Sequence, residues 1–287
     1  MSMVAERIAA PIRVRARNVH LSADTLRSIV GVAALVLIWE LGSHSQQWFG
    51  FRTPWIGGLP PPEAVAITWA HLVFKASYWT DLWLSFLRVV SGFAVALLIG
   101  VPFGLVLALN RTAHGVLFPS FEVIRPIPPI AWVPASILFW PTKDLSIGFV
   151  IFLGAFFTIV LNVLGGTKAI DPRYLEAARS MGASRANIFR RIIIPGVLPS
   201  ILVGSVVGMG ISWEVVIAGE LISGGGTAAG GTGGGIGFFI WNSYVTAGES
   251  AESQIIVGMF SIGIMGYGSS EIIRWVGRLA TPWLKLR

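Results

Sequence analysis

Few residues in this chain could do chemistry, and most of those sit where an ionisable group is expensive. Glu122 and Arg125 fall in one long apolar run, Glu214 and Glu220 in another, and Arg88 in a third. A charge inside a hydrocarbon layer is costly, so such groups are functional candidates by default. Glu122 and Arg125 stand three apart, on one helical face, where they can neutralise each other. In the competing reading Arg125 faces a transport route and attracts an anion. Arg125-Pro126-Ile127-Pro128-Pro129 interrupts its helix and exposes backbone groups, as transporter pathways do. Glu214 and Glu220 have two open readings: pairing with Arg88 or Arg125, or bounding an outer gate. Trp213 is expected to pack rather than to stack on a ligand.

Catalytic machinery is not visible. Neither GxxxxGKS nor GxxxxGKT occurs, so the chain is not expected to cradle nucleotide phosphates itself. The Gly-rich run from Gly224 to Gly235 has no following Lys and no preceding strand, and reads as a flexible loop. The four His residues are scattered through residues 20–114 without metal-ligand spacing, and there is no Cys for a disulfide or a thiolate site. The expectation is a non-catalytic chain with no catalytic residue, metal or cofactor of its own.

The elements that carry these residues are long apolar runs. The 287 residues are 54% hydrophobic and 12% charged, with a mean hydropathy of +0.73. Soluble domains carry about 25% charged residues. The runs lack period-two alternation, so helices rather than a barrel must satisfy the backbone in lipid. An all-α polytopic protein with about six spans follows: roughly Ser28–Ser43, Leu82–Asn110, Val116–Trp140, Leu145–Val163, Leu198–Ile222 and Ser253–Trp275. Trp39-Glu40-Leu41 ends the first run without a small-residue cleavage site, unlike a removed signal. Residues 44–80 read as an outside segment, with Trp48, Phe49, Trp55, Trp69, Tyr78 and Trp79 suited to an interfacial belt. Within it, the stiff Pro60-Pro61-Pro62 turn leads to a helix over Ala64–Phe74 that lies along the surface. A short segment, Ile236–Tyr244, follows the Gly-rich loop. Pro102 is expected to kink the second span. Gly100 with Gly104, and Gly204 with Gly208, have GxxxG spacing suited to close helix packing.

The net charge of +7 and the pI near 10.4 are explained more simply by the positive-inside rule than by nucleic acid. Five Arg precede the first span. Arg111, six Lys or Arg between Lys168 and Arg191, and then Arg274, Arg278, Lys285 and Arg287 fall on the same side. Only Arg52, Lys75 and Lys143 fall on the other. Both termini are therefore expected in the cytoplasm. The parts are a basic tail over 1–27, a membrane domain over 28–277 and a second tail over 278–287.

Between the fourth and fifth spans lies a charged island, 171–195. Asp171 suits an N-cap and Pro172 the first helical position. A helix through Glu176, Ala177 and Ala178 should stop at Gly182. Ser184 should cap a second helix that Pro195 closes. Small residues at Ala177, Ala178 and Gly182 would let a partner's backbone approach. Glu176-Ala177-Ala178, then Gly182, Ile192 and Pro195, resemble the EAA signature of ABC importer permeases, with Ile194 where that pattern has Leu.

The resemblance extends from about Leu59 to Leu284. Leu59-Pro60-Pro61-Pro62, Arg125-Pro126-Ile127-Pro128-Pro129, Gly154-Ala155-Phe156-Phe157 and Gly235-Ile236-Gly237-Phe238-Phe239-Ile240-Trp241 are similar to the nitrate/sulfonate/taurine/bicarbonate permease family. Thr158 departs from its usual Pro, and the loop before Gly235 is longer than usual. The resemblance implies a type I ABC importer permease in a bacterial inner membrane, with ATPase subunits docked on the EAA loop. It also implies a second permease copy, a periplasmic or lipid-anchored binding protein, and ATP with Mg held by the partner ATPase. A small anion (nitrate, bicarbonate, taurine or another sulfonate) is the implied solute. A neutral organic solute or vitamin precursor is the alternative, and an ATP-independent carrier a further one.

Overall fold

A computed structural model describes residues 23–222, 234–246, 248 and 250–283. The expectations for the arginines before residue 23, for the Gly-rich run before Gly234, and for Lys285 and Arg287 lie outside these residues. Every regular element among the described residues is helical, as lipid requires of a chain whose backbone must pair internally. The chain divides into two compact units, 1–62 and 63–287.

In the first unit, helix α1 (Ala23–Ser43) starts five residues before the expected span. It is apolar nearly all round and leaves Ile29, Val32, Leu35 and Leu37 exposed. A short α2 (Ser45–Phe49) and a turn at Ile56–Gly58 fold back beside it. Trp39 Nε1 donates to the Pro60 carbonyl at 3.0 Å, and Thr53 Oγ1 donates to the Gly42 carbonyl at 3.0 Å.

The second unit opens with α3 (Pro62–Val73), which buries Val65 and Leu72. Three long helices then make its centre: α4 (Ala76–Leu109), α7 (Lys143–Lys168) and α10 (Ile194–Ile222). Small residues set their register. A Cβ at Gly92, Gly100 or Gly104 of α4 would meet Ile151, Ile159 or Val163 of α7, a constant offset of 59 residues, so these helices run parallel. Gly204 and Gly208 of α10 face Asn162 and Ala155, while Gly219 faces Ile147, so α10 runs antiparallel to α7. Both GxxxG pairs therefore serve packing. Helix α12 (Ala251–Ala280) lies antiparallel to α10, with Gly277 against Leu202 and Gly266 against Trp213. Between α10 and α12 comes α11 (Ile236–Thr246).

Four expectations change. Five helices among the described residues, not six, are long and apolar enough to cross a membrane. The expected third span is broken into α5 (Arg111–Ile124), a 3-10 turn at Pro129–Trp132, and α6 (Val133–Phe139). Pro126, Pro128 and Pro129 supply no N–H, so an unbroken helix cannot form there. Tyr78 does not join an interfacial belt: α4 starts at Ala76, and Tyr78 is buried with its hydroxyl 2.7 Å from Ser261 Oγ. Finally, α12 runs through Ala280, so residues 278–280 belong to that helix rather than to a separate tail.

The α4–α7 contact gives a direct test. A Cβ at Gly92 would lie 2.8 Å from Ile151 Cβ and 2.9 Å from the Gly148 carbonyl, whereas one at Gly148 would meet nothing within 4 Å. Gly92→Ala is expected to cost about 1–3 kcal/mol through overpacking. Gly148→Ala is expected to gain about 0.5–1 kcal/mol through helix propensity. Thermal unfolding of the detergent-purified variants separates the two, and equal melting temperatures would contradict this packing.

Candidate functional site

The helices place chemistry at opposite ends of the bundle. At one end, α7 leads into the island. Asp171 caps α8 (Pro172–Ser180), its side chain accepting from Arg173 N at 2.9 Å, with Pro172 at the first position. Gly182, at φ +77°, ends the helix. The Ala183 and Gly182 N–H groups bond the carbonyls of Ala178 and Arg179 at 2.9 Å each, which is how a left-handed residue satisfies a helix's last acceptors. Ser184 then caps α9 (Arg185–Ile188) through Asn187 N. All of this was readable in the sequence.

Pro195 does not close that segment. A π-helical turn at Phe189–Ile193 carries the chain straight into α10. Pro195 is the second residue of α10 and directly follows the π turn, so its missing N–H falls where the backbone pairing changes from π to α. The loop is fastened by Ala178, Ile188 and Ile193, all buried in the main core together with half-buried Ile192. Ala178 thus packs against its own chain. Glu176, Ala177, Tyr174, Met181 and Gly182 are exposed.

At the other end, Glu220 is buried with a side-chain exposure of 0%. Its carboxylate accepts from Ser85 Oγ at 2.8 and 2.9 Å, from Arg88 Nη1 at 2.9 Å and from Gly237 N at 2.9 Å. Arg88 also holds Asp144 at 2.7 Å and donates to the Gly234 carbonyl at 3.1 Å. Ile236 N donates to Ser85 Oγ and Gly235 N to Asp81 Oδ1. The first N–H groups of α11, which have no partners within the helix, are thus capped by α4 and α10. Gly235, at φ +86°, has Glu220 where a Cβ would stand. Glu220 therefore pairs with Arg88 and not with Arg125. Ser85, Asp81 and Asp144 were missed; Ser85 and Asp81 stand one and two helical turns before Arg88, while Asp144 lies 56 residues away and gave no signal.

Arg125 and Glu122 pair with each other at 3.2 Å, both partly exposed. Trp213 is buried and donates to Ser269 Oγ at 2.9 Å, so it packs as expected. Glu214 is exposed and joins neither cluster. No group of three or more metal-ligating residues occurs among the described residues.

Residues 100–284 match the family described as binding-protein-dependent transport system inner membrane component. The chain belongs to this family. It is 30% identical over 234 residues to the nitrate import permease protein NrtB of Synechococcus elongatus, covering 78% of this chain and 81% of that protein. The taurine transport system permease protein TauC of Escherichia coli is 31% identical over 231 residues, with 78% and 80% covered. The bicarbonate transport system permease protein CmpB of Synechococcus elongatus is 32% identical over 204 residues, with 71% and 69% covered. An inward-facing structure of the MetNI methionine ABC transporter shares the fold, with a TM-score of 0.51 over 69% of this chain and 93% of that one at 19% identity. This is a multi-pass ABC importer permease of the nitrate/sulfonate/taurine/bicarbonate family, a transport subunit that works with ATPase and substrate-binding partners.

In this permease the Arg88–Glu220 cluster sets a stability hierarchy. Arg88→Met leaves Glu220 buried without its cation and is expected to cost about 3–5 kcal/mol, as removing one partner of a buried pair does. Asp144→Asn removes an acid whose side chain is 72% exposed and is expected to cost under about 1 kcal/mol. Detergent-solubilised melting curves measure both, and a larger loss for Asp144→Asn would reverse the assignment.

Proposed function

We propose that this permease imports a small anion across a bacterial inner membrane and that the 171–195 loop is its coupling element. The observation that carries this reading is the loop's build: two capped helices around Gly182, anchored by Ala178 and Ile188, with Glu176, Ala177, Tyr174 and Met181 left outward. Glu176, Ala177, Ala178, Gly182, Ile192 and Pro195 are the coupling residues. Ala178 and Ile192 act from the core side, fixing the surface that the partner ATPase grips, and ATP and Mg sit on that partner. Because the π turn joins α9 to α10 without a break, a push on the loop is delivered to α10. The route forms between two permease copies, with both termini cytoplasmic, and a binding protein delivers solute from the opposite face.

Nitrate, bicarbonate, taurine and other sulfonates are the solutes this reading favours, because relatives carry three of those names. Arg125 supplies the attraction for an anion beside the helix break, with Glu122 as its resting partner. Glu220 bounds the outer end of the route. One observation favours the second reading, a neutral organic solute: the charge of Arg125 is already met by Glu122.

Glu176→Lys and Gly182→Asp are expected to insert normally yet lose at least about tenfold in ATPase co-purification, since one reverses a docking charge and the other strains a left-handed turn. Unchanged co-purification and uptake in both would sink the docking assignment. In proteoliposomes with the cognate ATPase and binding protein, Arg125→Ala should abolish ATP-driven uptake of the transported anion while leaving ATPase binding intact. Retained uptake would return Arg125 to a structural role.

A further inference from the structure

At the end of the bundle that carries the 171–195 loop, a groove of about 430 Å³ runs between the start of α10 and the end of α12. Pro199, Val203, Val206 and Val207 line it from α10, and Arg274, Arg278 and Thr281 from α12. Gly277 and Leu202 meet within it. Thr281 Oγ1 is spent on the Gly277 carbonyl at 2.8 Å. The groove is therefore apolar along α10, with two guanidiniums on its α12 side.

Those guanidiniums are not neutralised. Arg274 Nε holds Glu271 Oε1 at 2.9 Å, while Arg278 Nη2 stands 4.0 Å from Glu271 Oε2, beyond hydrogen-bond reach. Two cations thus share one carboxylate, and one positive charge is in excess. The Nη groups of Arg274 and Arg278 meet no hydrogen-bond acceptor among the described residues. The Arg274 guanidinium carbon lies 5.9 Å from the centre of the Tyr267 ring, a cation–π contact that steadies it. Arg274 and Arg278 fall within the last six residues before Ala280 ends α12, about 9 Å of helix. Trp275 and Trp283 are exposed beside them, as aromatic side chains are at a membrane–water interface.

An occupant must join an anion to a hydrocarbon chain, because a soluble anion would meet the arginines and leave the valines bare. From Pro199 to Val207 the helix rises about 12 Å, so the groove amounts to a slot about 6 Å across, which takes an acyl chain but not a helix of about 10–12 Å diameter. We propose that this groove binds one anionic phospholipid, in the leaflet level with the 171–195 loop. The phosphate sits on Arg274 and Arg278 through charge-assisted N–H···O bonds, and one acyl chain lies along Val203, Val206 and Val207. A zwitterionic headgroup brings no net charge to the surplus cation, so the site selects anionic lipid. It stands apart from the Arg88–Glu220 cluster, at the opposite end of α10.

The transporter, assembled with its ATPase in proteoliposomes, is irradiated with phosphatidylglycerol or phosphatidylcholine carrying a diazirine on one acyl chain, and the cross-linked peptides are mapped. Phosphatidylglycerol is expected to label residues 199–207 at least about fivefold more than phosphatidylcholine does, the scale of one unit charge at a membrane surface. Arg278→Gln leaves the Arg274–Glu271 pair and removes the surplus charge, so the preference should fall to parity, whereas Arg278→Lys should keep most of it. Val207→Trp fills the groove and should remove labelling of this segment by both lipids, with other segments labelled as before. Equal labelling of the natural chain by the two lipids overturns the charge selection. A preference unchanged in Arg278→Gln overturns the headgroup position. No labelling of 199–207 by either lipid means that another protein surface covers the groove, and overturns the proposal. Displacement of phosphatidylglycerol by inorganic phosphate at constant ionic strength would give the arginines to a soluble anion and overturn it as well.

Discussion

The close approach of α7 to both α4 and α10 is the constraint on which everything else hangs. In lipid there is no hydrophobic gain from bringing two apolar helices together, so contact must come from packing at short range. Gly92, Gly100 and Gly104 on one side, with Gly204, Gly208 and Gly219 on the other, remove the side chains that would hold the backbones apart. Buried Val150, Ile151, Ala155, Ile159 and Val163 fill the seams. Once these two registers are set, the ends of the helices have no freedom. Ser85 and Arg88 must come level with Glu220, and Thr167 and Gly166 level with the start of α10.

That alignment separates two kinds of polar structure. The Arg88–Glu220 cluster is closed: Ser85 both donates to Glu220 and accepts from Ile236, and Arg88 spans two acids and a carbonyl. Such a network ties α4, α10 and the start of α11 into one body, and a helix start capped by distant residues is ordered only when the bundle is assembled. The 171–195 loop is the opposite. Its caps are local, its turn is set by one left-handed glycine, and only three buried side chains root it in the core. It can keep its own shape while moving with α10.

The sequence was most legible where structure is local. Asp171, Pro172, Gly182 and Ser184 each take the cap or turn position their chemistry suits, because the partners lie within a few residues. The glycine pairs were legible as packing surfaces, though not their partners. Non-local outcomes were not legible. Arg88 and Glu220 lie 132 residues apart, and spacing could not choose between Arg88 and Arg125 as the partner of Glu220. Tyr78 looked interfacial because its hydrogen-bond partner, Ser261, lies 183 residues away. Two prolines misled in opposite directions. The cluster at Pro126–Pro129 broke a run whose average hydropathy still read as one span, while Pro195 was tolerated because it sits directly after the π turn, where the backbone pairing changes register.

The π turn at Phe189–Ile193 connects these observations. Between a four-residue α9 and a 29-residue α10, a wider turn adds one residue to the helical count without breaking the chain of backbone bonds. It therefore sets the rotation of α10 about its axis relative to the 171–195 loop. Each residue turns a helix by about 100°, so one residue more or less here would carry the exposed Val203, Val207, Gly210 and Glu214 off their present side. The same rotation would drive Glu214 towards the packed seam and pull Gly204 and Gly208 out of it. The π turn is thus the point at which the position of the loop and the facing of α10 are fixed together.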